Sequence, residues 1–185
     1  VVISTRNLKP VYDVETLIRA IPLVLQQIPE ARFIVAGEGE QRAYLENLAR
    51  GLGVLESVRF VGWIAHHELT KYLASADVYV STSLSDGTSV SLLEALACEL
   101  APVVTDIPAN RPWVHDGENG FLIPVREYEM LADGIIRLLE DEGLRAANRG
   151  MLRIIFLPAW HASEGYLCGL SVPLAKLSGG HFQVA

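Results

Sequence analysis

The chain has 185 residues, half of them hydrophobic, and a formal charge of −7. That length supports one domain with a proper core, and the acidic balance excludes the broad Lys and Arg surface that polyanions require, so nucleic acid is not an expected partner. No run reaches the roughly 18 apolar residues of a spanning helix, Val1 opens no signal-peptide pattern, and Cys98 and Cys168 fit neither a CxxC pair nor a disulfide framework; the expectation is a soluble, cytoplasmic chain with two small buried thiols.

From residue 1 to about 140, short β-branched runs alternate with longer amphipathic stretches, which is the pattern of a βαβ series around a parallel sheet. Strands are predicted at 1–5, 31–36, 57–62, 77–82, 102–105 and 120–125, mostly as continuous apolar runs of the kind that helices cover on both faces. Helical spacing links Val14, Leu17, Ile18, Ile21, Val24 and Leu25, then Tyr44, Leu45, Leu48 and Leu52, and both faces read as packing. Further helices are predicted at 67–75, 88–98 and 127–149, the last with Leu131, Ile135, Leu138 and Leu139 inward. The fold class is α/β, with a doubly wound six-stranded parallel sheet over residues 1–150. Residues 151–185 lose charge and periodicity; a loose tail, an element of a neighbouring domain and a shifted reading frame fit them equally.

Open parallel sheets bind ligands beyond the carboxyl ends of their strands, where successive strands diverge. Arg6 follows the first strand, Gly37, Glu38 and Gly39 the second, Gly62 and Trp63 close the third, and 83–89 follow the fourth. In this last turn Gly87 permits close backbone approach, and Thr88 or Ser89 can cap the next helix, whose first amides suit a phosphate; a well-capped helix without a ligand explains the same residues. Glu94 stands in an apolar helical run, where a carboxylate needs either ligand hydroxyls or a protein partner. The Gly37–Gly39 turn suits a ligand or simply a tight strand-to-helix turn. Arg6 suits a diphosphate or an ordinary surface loop. His66 and His67 have no third residue at metal spacing, so no metal is expected.

Read together, SLSDGTSVSLLEALACELAPVVTD at 83–106, VAGEG at 35–39, VRFVG at 58–62, LASADV at 73–78 and DGENG at 116–120 resemble, in order and spacing, the carboxyl-terminal domain of the family 4 retaining glycosyltransferases. The resemblance covers about residues 1–145 and implies a Rossmann-like domain forming one half of a GT-B fold. It implies a nucleoside-diphosphate sugar, with UDP or GDP, as donor and an enzyme of carbohydrate or glycolipid biosynthesis. The two acids of its E-x7-E motif fall on Asp86, near the transferred sugar, and Glu94, at the ribose. Gly87, Thr88 and Ser89 would hold sugar and diphosphate, Gly62 and Trp63 would lie beside the base, and Arg6 would neutralise the diphosphate. Gly37, Gly39 and Ser83 complete the donor set. No metal or other cofactor is implied, because basic side chains and a helix N-terminus take the role of a cation.

Departures from the family pattern are local. Asp86 is one methylene shorter than the usual Glu, Tyr12 stands at the usual lysine with Lys9 displaced nearby, and Glu99 occupies a glycine position that often requires left-handed backbone. Pro108-Ala109 and Pro112 replace a Gly-Gly turn and a following Glu. The resemblance also implies a separate amino-terminal domain for the acceptor, through which any peripheral membrane contact would come. Without it, the alternative is a nucleotide-sugar-binding fragment that catalyses nothing alone. A dinucleotide oxidoreductase is disfavoured, since the first strand leads into Arg6-Asn7-Leu8 and not a GxGxxG loop.

Overall fold

The structure, a computed structural model, describes residues 1–145; the expectation for 151–185 lies outside the described residues. Six strands, β1 (Val2–Ser4), β2 (Phe33–Ala36), β3 (Val58–Gly62), β4 (Val78–Ser81), β5 (Ala101–Thr105) and β6 (Phe121–Ile123), form one sheet in the order β3-β2-β1-β4-β5-β6. Every pairing is parallel, from Val2 opposite both Phe33 and Val78 at the centre to Thr105 opposite Ile123 at one edge. All six predicted strands are present. They are shorter than the apolar runs at most ends because those runs continue into the loops.

The helices are α1 (Val14–Gln27), α2 (Arg42–Gly51), α3 (His66–Ala74), α4 (Val90–Ala97) and α5 (Tyr128–Glu140). Alternate strand residues feed two separate cores. Val2, Phe33, Val35, Val78, Val80 and Val103 pack under α1, α2 and α5, whereas Ile3, Tyr79 and Val104 pack with Leu73 of α3 and Leu92, Ala95 and Leu96 of α4. This period-two division makes the central strands apolar on both faces, whereas the edge strand β3 exposes Arg59. Leu17, Ile18, Ile21 and Val24 make the buried stripe of α1, and each such side chain contributes about 1.5–3 kcal/mol of burial.

Three helical expectations change. On α2, Leu45 and Ala49 are the buried pair, while Tyr44 and Leu52 are exposed. The predicted helix at 127–149 is interrupted at Asp141, which is extended with its carboxylate accepting the Leu144 N–H; residues 142–145 are helical again, and residues 146–149 lie outside the described residues. The helix predicted from Thr88 starts at Val90, because Ser89 keeps an extended backbone as N-cap. Its far end behaves as expected: Glu99 adopts φ of +64°, with Leu100 N–H bonded to Ala95 and Glu99 N–H to Leu96, a Schellman closure that a non-glycine residue makes at a cost of about 1 kcal/mol.

Strands β1 to β3 spread to one side and β4 to β6 to the other, so the order diverges between β1 and β4. Their carboxyl ends open onto the loops that carry Arg6 and residues 82–89.

Candidate functional site

Arg6 leaves β1 by two residues and is 92% buried, with 8% relative exposure. A guanidinium in that position needs partners on its nitrogens, and the loop after β4 supplies them. Nη1 donates to Ser89 Oγ at 3.1 Å and Ser91 Oγ at 2.6 Å, and Nη2 donates to Asp86 Oδ2 at 2.6 Å. The Tyr12 ring lies 4.3 Å from the guanidinium carbon, a cation–π stack. Nε is buried without a hydrogen-bond partner among the described residues. Tyr12 therefore does not act as the second cation expected at its position. It covers the first one.

Ser91 also accepts from Tyr79 O–H at 2.9 Å, so both of its lone pairs are used and its own proton turns elsewhere, toward Ser89 Oγ at 3.4 Å. Asp86 is engaged at both oxygens, taking Arg6 on one and the Gly87 N–H on the other at 2.9 Å. Ser83 lies beneath the loop at 1% exposure: its hydroxyl meets Ser81, and its carbonyl accepts the Thr105 hydroxyl at 2.6 Å. It braces the loop from below. Thr88 is exposed, and among the described residues no atom beyond the chain neighbours lies within 4 Å of where a Gly87 side chain would sit. Ser89 makes no side-chain capping bond; its hydroxyl accepts from Arg6 instead.

Beside this loop, Thr5, Asn7 and Gly37 face Trp63, Ile64 and Glu94 across a cleft of about 170 Å³. Glu94 lies just over a turn into α4 and not two turns, because the helix begins later than predicted. Its side chain is 11% exposed, and it makes no hydrogen bond among the described residues; His66 Nδ1 approaches Oε1 at 3.5 Å. Burial pushes the Glu94 pKa up, and His66 opposes that shift. Trp63, at 73% exposure, presents its indole to solvent at the cleft wall.

Close backbone contacts fix the turns after β2 and β3. Gly37 has φ of +135° and donates its N–H to the Gly62 carbonyl at 2.7 Å, and an added Cβ would overlap the Arg6 carbonyl. At Gly39 the obstacle is the Leu8 carbonyl. Gly62 has φ of +75°, with Glu38 and Arg42 over its Cα. Arg42 ties these segments together by pairing with Glu38 at 2.6 Å and donating to the Phe60 carbonyl at 3.3 Å.

The structure thus brings Arg6, Asp86 and Ser89 into direct contact, places Gly37, Trp63 and Glu94 around one cleft, and leaves Ser83 below it. Lys9 is exposed and forms no ion pair among the described residues. Ser91, the Tyr12 stack and the approach of His66 to Glu94 were not legible in the sequence, since each joins elements distant along the chain.

Residues 1–149 match the family described as glycosyl transferases group 1. The chain belongs to that family. This group 1 glycosyltransferase is 37% identical over 143 residues to EpsD of Bacillus subtilis, named as a glycosyltransferase by assignment, a match that covers 72% of this chain and 37% of EpsD. It spans a little over a third of such a relative's length. Among solved structures, the C-terminal domain of LpcC, a group 1 family protein of Francisella tularensis, superposes with a TM-score of 0.76 at 23% identity, covering 86% of this chain and 85% of that one. HepE of Anabaena, solved in complex with UDP, gives 0.74 at 25% identity, covering 83% of this chain and 43% of that one. The described residues therefore form a Rossmann-like domain of the GT-B architecture, with the fold of the carboxyl-terminal domain of LpcC. Among them, no helix is long and apolar enough to cross a membrane.

Proposed function

We propose that the chain binds a nucleoside-diphosphate sugar across the β1–β4 divergence and, joined to an amino-terminal acceptor domain, transfers the hexosyl group to an acceptor hydroxyl with retention at the anomeric carbon. The observation that carries this reading is Glu94: a mostly buried carboxylate, free of hydrogen bonds among the described residues, lining a cleft whose opposite wall is backbone and whose rim is an exposed indole. Such a carboxylate suits two ribose hydroxyls, which are its natural donors, and Trp63 offers a face to the base.

Arg6 and the first amides of α4 lie beside Glu94's cleft, where a diphosphate joined to that ribose would fall. Negative charge develops on the diphosphate as the glycosidic bond breaks, and these preorganised donors stabilise it. Asp86, on the outer side of Arg6, would orient sugar hydroxyls. The acceptor would enter from across an interdomain cleft whose closure excludes water. The UDP bound by HepE supports uridine as the base.

The test is a calorimetric titration of the chain with UDP, GDP, ADP and NAD, without and with magnesium. Saturable binding of one nucleoside diphosphate without magnesium is expected; binding of NAD alone, or of none by a folded chain, would overturn the reading. The alternative reading is a module that binds donor but catalyses nothing by itself. It predicts that transfer appears only when an acceptor domain is supplied.

A further inference from the structure

The Arg6–Asp86 pair occupies groups that the donor needs. Asp86 Oδ2 takes the Nη2 end of Arg6 while Oδ1 takes the Gly87 N–H, so the carboxylate is satisfied inside its own loop. A diphosphate approaching Arg6 meets a cation already neutralised, with a like charge beside it. The guanidinium itself is held independently of Asp86. Tyr12 covers one face, Ser89 and Ser91 hold Nη1, and Tyr79 fixes Ser91 from the core. The turn that carries Tyr12 is anchored in its turn, since its carbonyl accepts the Thr82 hydroxyl at 3.1 Å and the Val11 carbonyl accepts the Leu84 N–H at 2.9 Å.

We propose that Asp86 is an internal stand-in for the donor's diphosphate on Arg6, displaced when the donor binds, and that Tyr12 is the positioning residue that holds the guanidinium in place through the exchange. The inference rests on the donor-site reading above and deepens it. Displacement couples the two halves of the donor, because the diphosphate that takes Arg6 releases the carboxylate that then meets the sugar. It also gives Tyr12 a purpose where, among the described residues, no second cation joins Arg6 in its contacts. With one cation at the site, its orientation matters more than the number of charges around it.

The experiment is calorimetric titration of the chain with inorganic pyrophosphate and with UDP. Asp86→Asn keeps an oxygen for the Gly87 N–H and removes the competing charge, so both ligands are expected to bind about three- to tenfold more tightly than to the unaltered chain. Glu94→Gln removes an equal charge without touching Arg6 and is expected to tighten pyrophosphate by less than about twofold. Tyr12→Ala is expected to weaken both ligands about tenfold, and Tyr12→Phe, which keeps the ring, to restore binding to within about twofold. Thermal melts verify that each variant is folded. Unchanged or weaker pyrophosphate binding by a folded Asp86→Asn chain overturns the stand-in, and a Tyr12→Phe loss equal to that of Tyr12→Ala overturns the positioning role. Tightened pyrophosphate binding with no response to UDP would leave the exchange standing and sink the uridine reading; failure of both ligands to bind the unaltered chain would sink both.

Discussion

Two regions of the candidate site are held by different physics. On the β2 side, Gly37 and Gly39 pass so close to the carbonyls of Arg6 and Leu8 that no side chain fits, and the Gly37 N–H is bonded to Gly62. On the β4 side, the loop at 84–89 is held chiefly by one guanidinium and its contacts with Asp86, Ser89 and Ser91, and Gly87 stands in open space. Steric closeness has one solution, whereas charge-assisted bonds can be exchanged for others of the same sign. The first region is accordingly a fixed platform, and the second is the part able to rearrange around an anion.

Substitutions break or sharpen that contrast. Gly37→Ala or Gly39→Ala forces backbone apart and is expected to cost about 3 kcal/mol or more, read as a lowered midpoint in urea unfolding. A cost below about 1 kcal/mol would mean that this region is as pliable as the other. Arg6→Ala leaves a partly buried carboxylate without its cation; a loss of about 2 kcal/mol in the same assay is expected, together with loss of pyrophosphate binding.

Glu94→Gln is expected to weaken nucleoside diphosphate binding about tenfold and to flatten its pH dependence, measured by calorimetry between pH 4 and 7. The sign follows from the raised pKa, caused by burial and opposed by His66. Ribose hydroxyls donate to the ionised carboxylate, so affinity falls as pH drops through a folded-state pKa that lies above the ordinary 4.5. Stability moves the other way: the fold holds this proton more tightly than the unfolded chain, and Glu94 penalises folding less as pH falls through the same pKa. The smallest effect belongs to Gly87→Ala, expected within about 0.5 kcal/mol of the unaltered chain, since the added methyl meets no protein atom.

Much of the platform was legible in the residue order. Six apolar runs separated by amphipathic stretches marked the strands, and the glycines of the 37–39 turn marked where backbone had to come close. Even the strain at Glu99 was foreseeable, because residue 99 stands just past the LLEALAC helix, at a position that often requires left-handed backbone. The loop's fittings were not. Arg6 and Asp86 stand 80 residues apart, and nothing in either neighbourhood states that they meet. The hydroxyl of Ser91 looked like one more polar residue at a helix start, and the ring of Tyr12 looked like a lost lysine.

Local composition and periodicity determined the class of fold, the carboxyl-end location of the site and the identity of Glu94 as a carboxylate in the wrong surroundings, because those properties belong to short stretches of chain. Tertiary structure alone decided which charges are hydrogen-bonded to each other and which are not. Asp86 is paired and Glu94 is without a hydrogen bond among the described residues, although both were read as donor-binding acids of one motif. The reason is that pairing depends on distances across the sheet, which the winding of β1 beside β4 sets and no local pattern encodes.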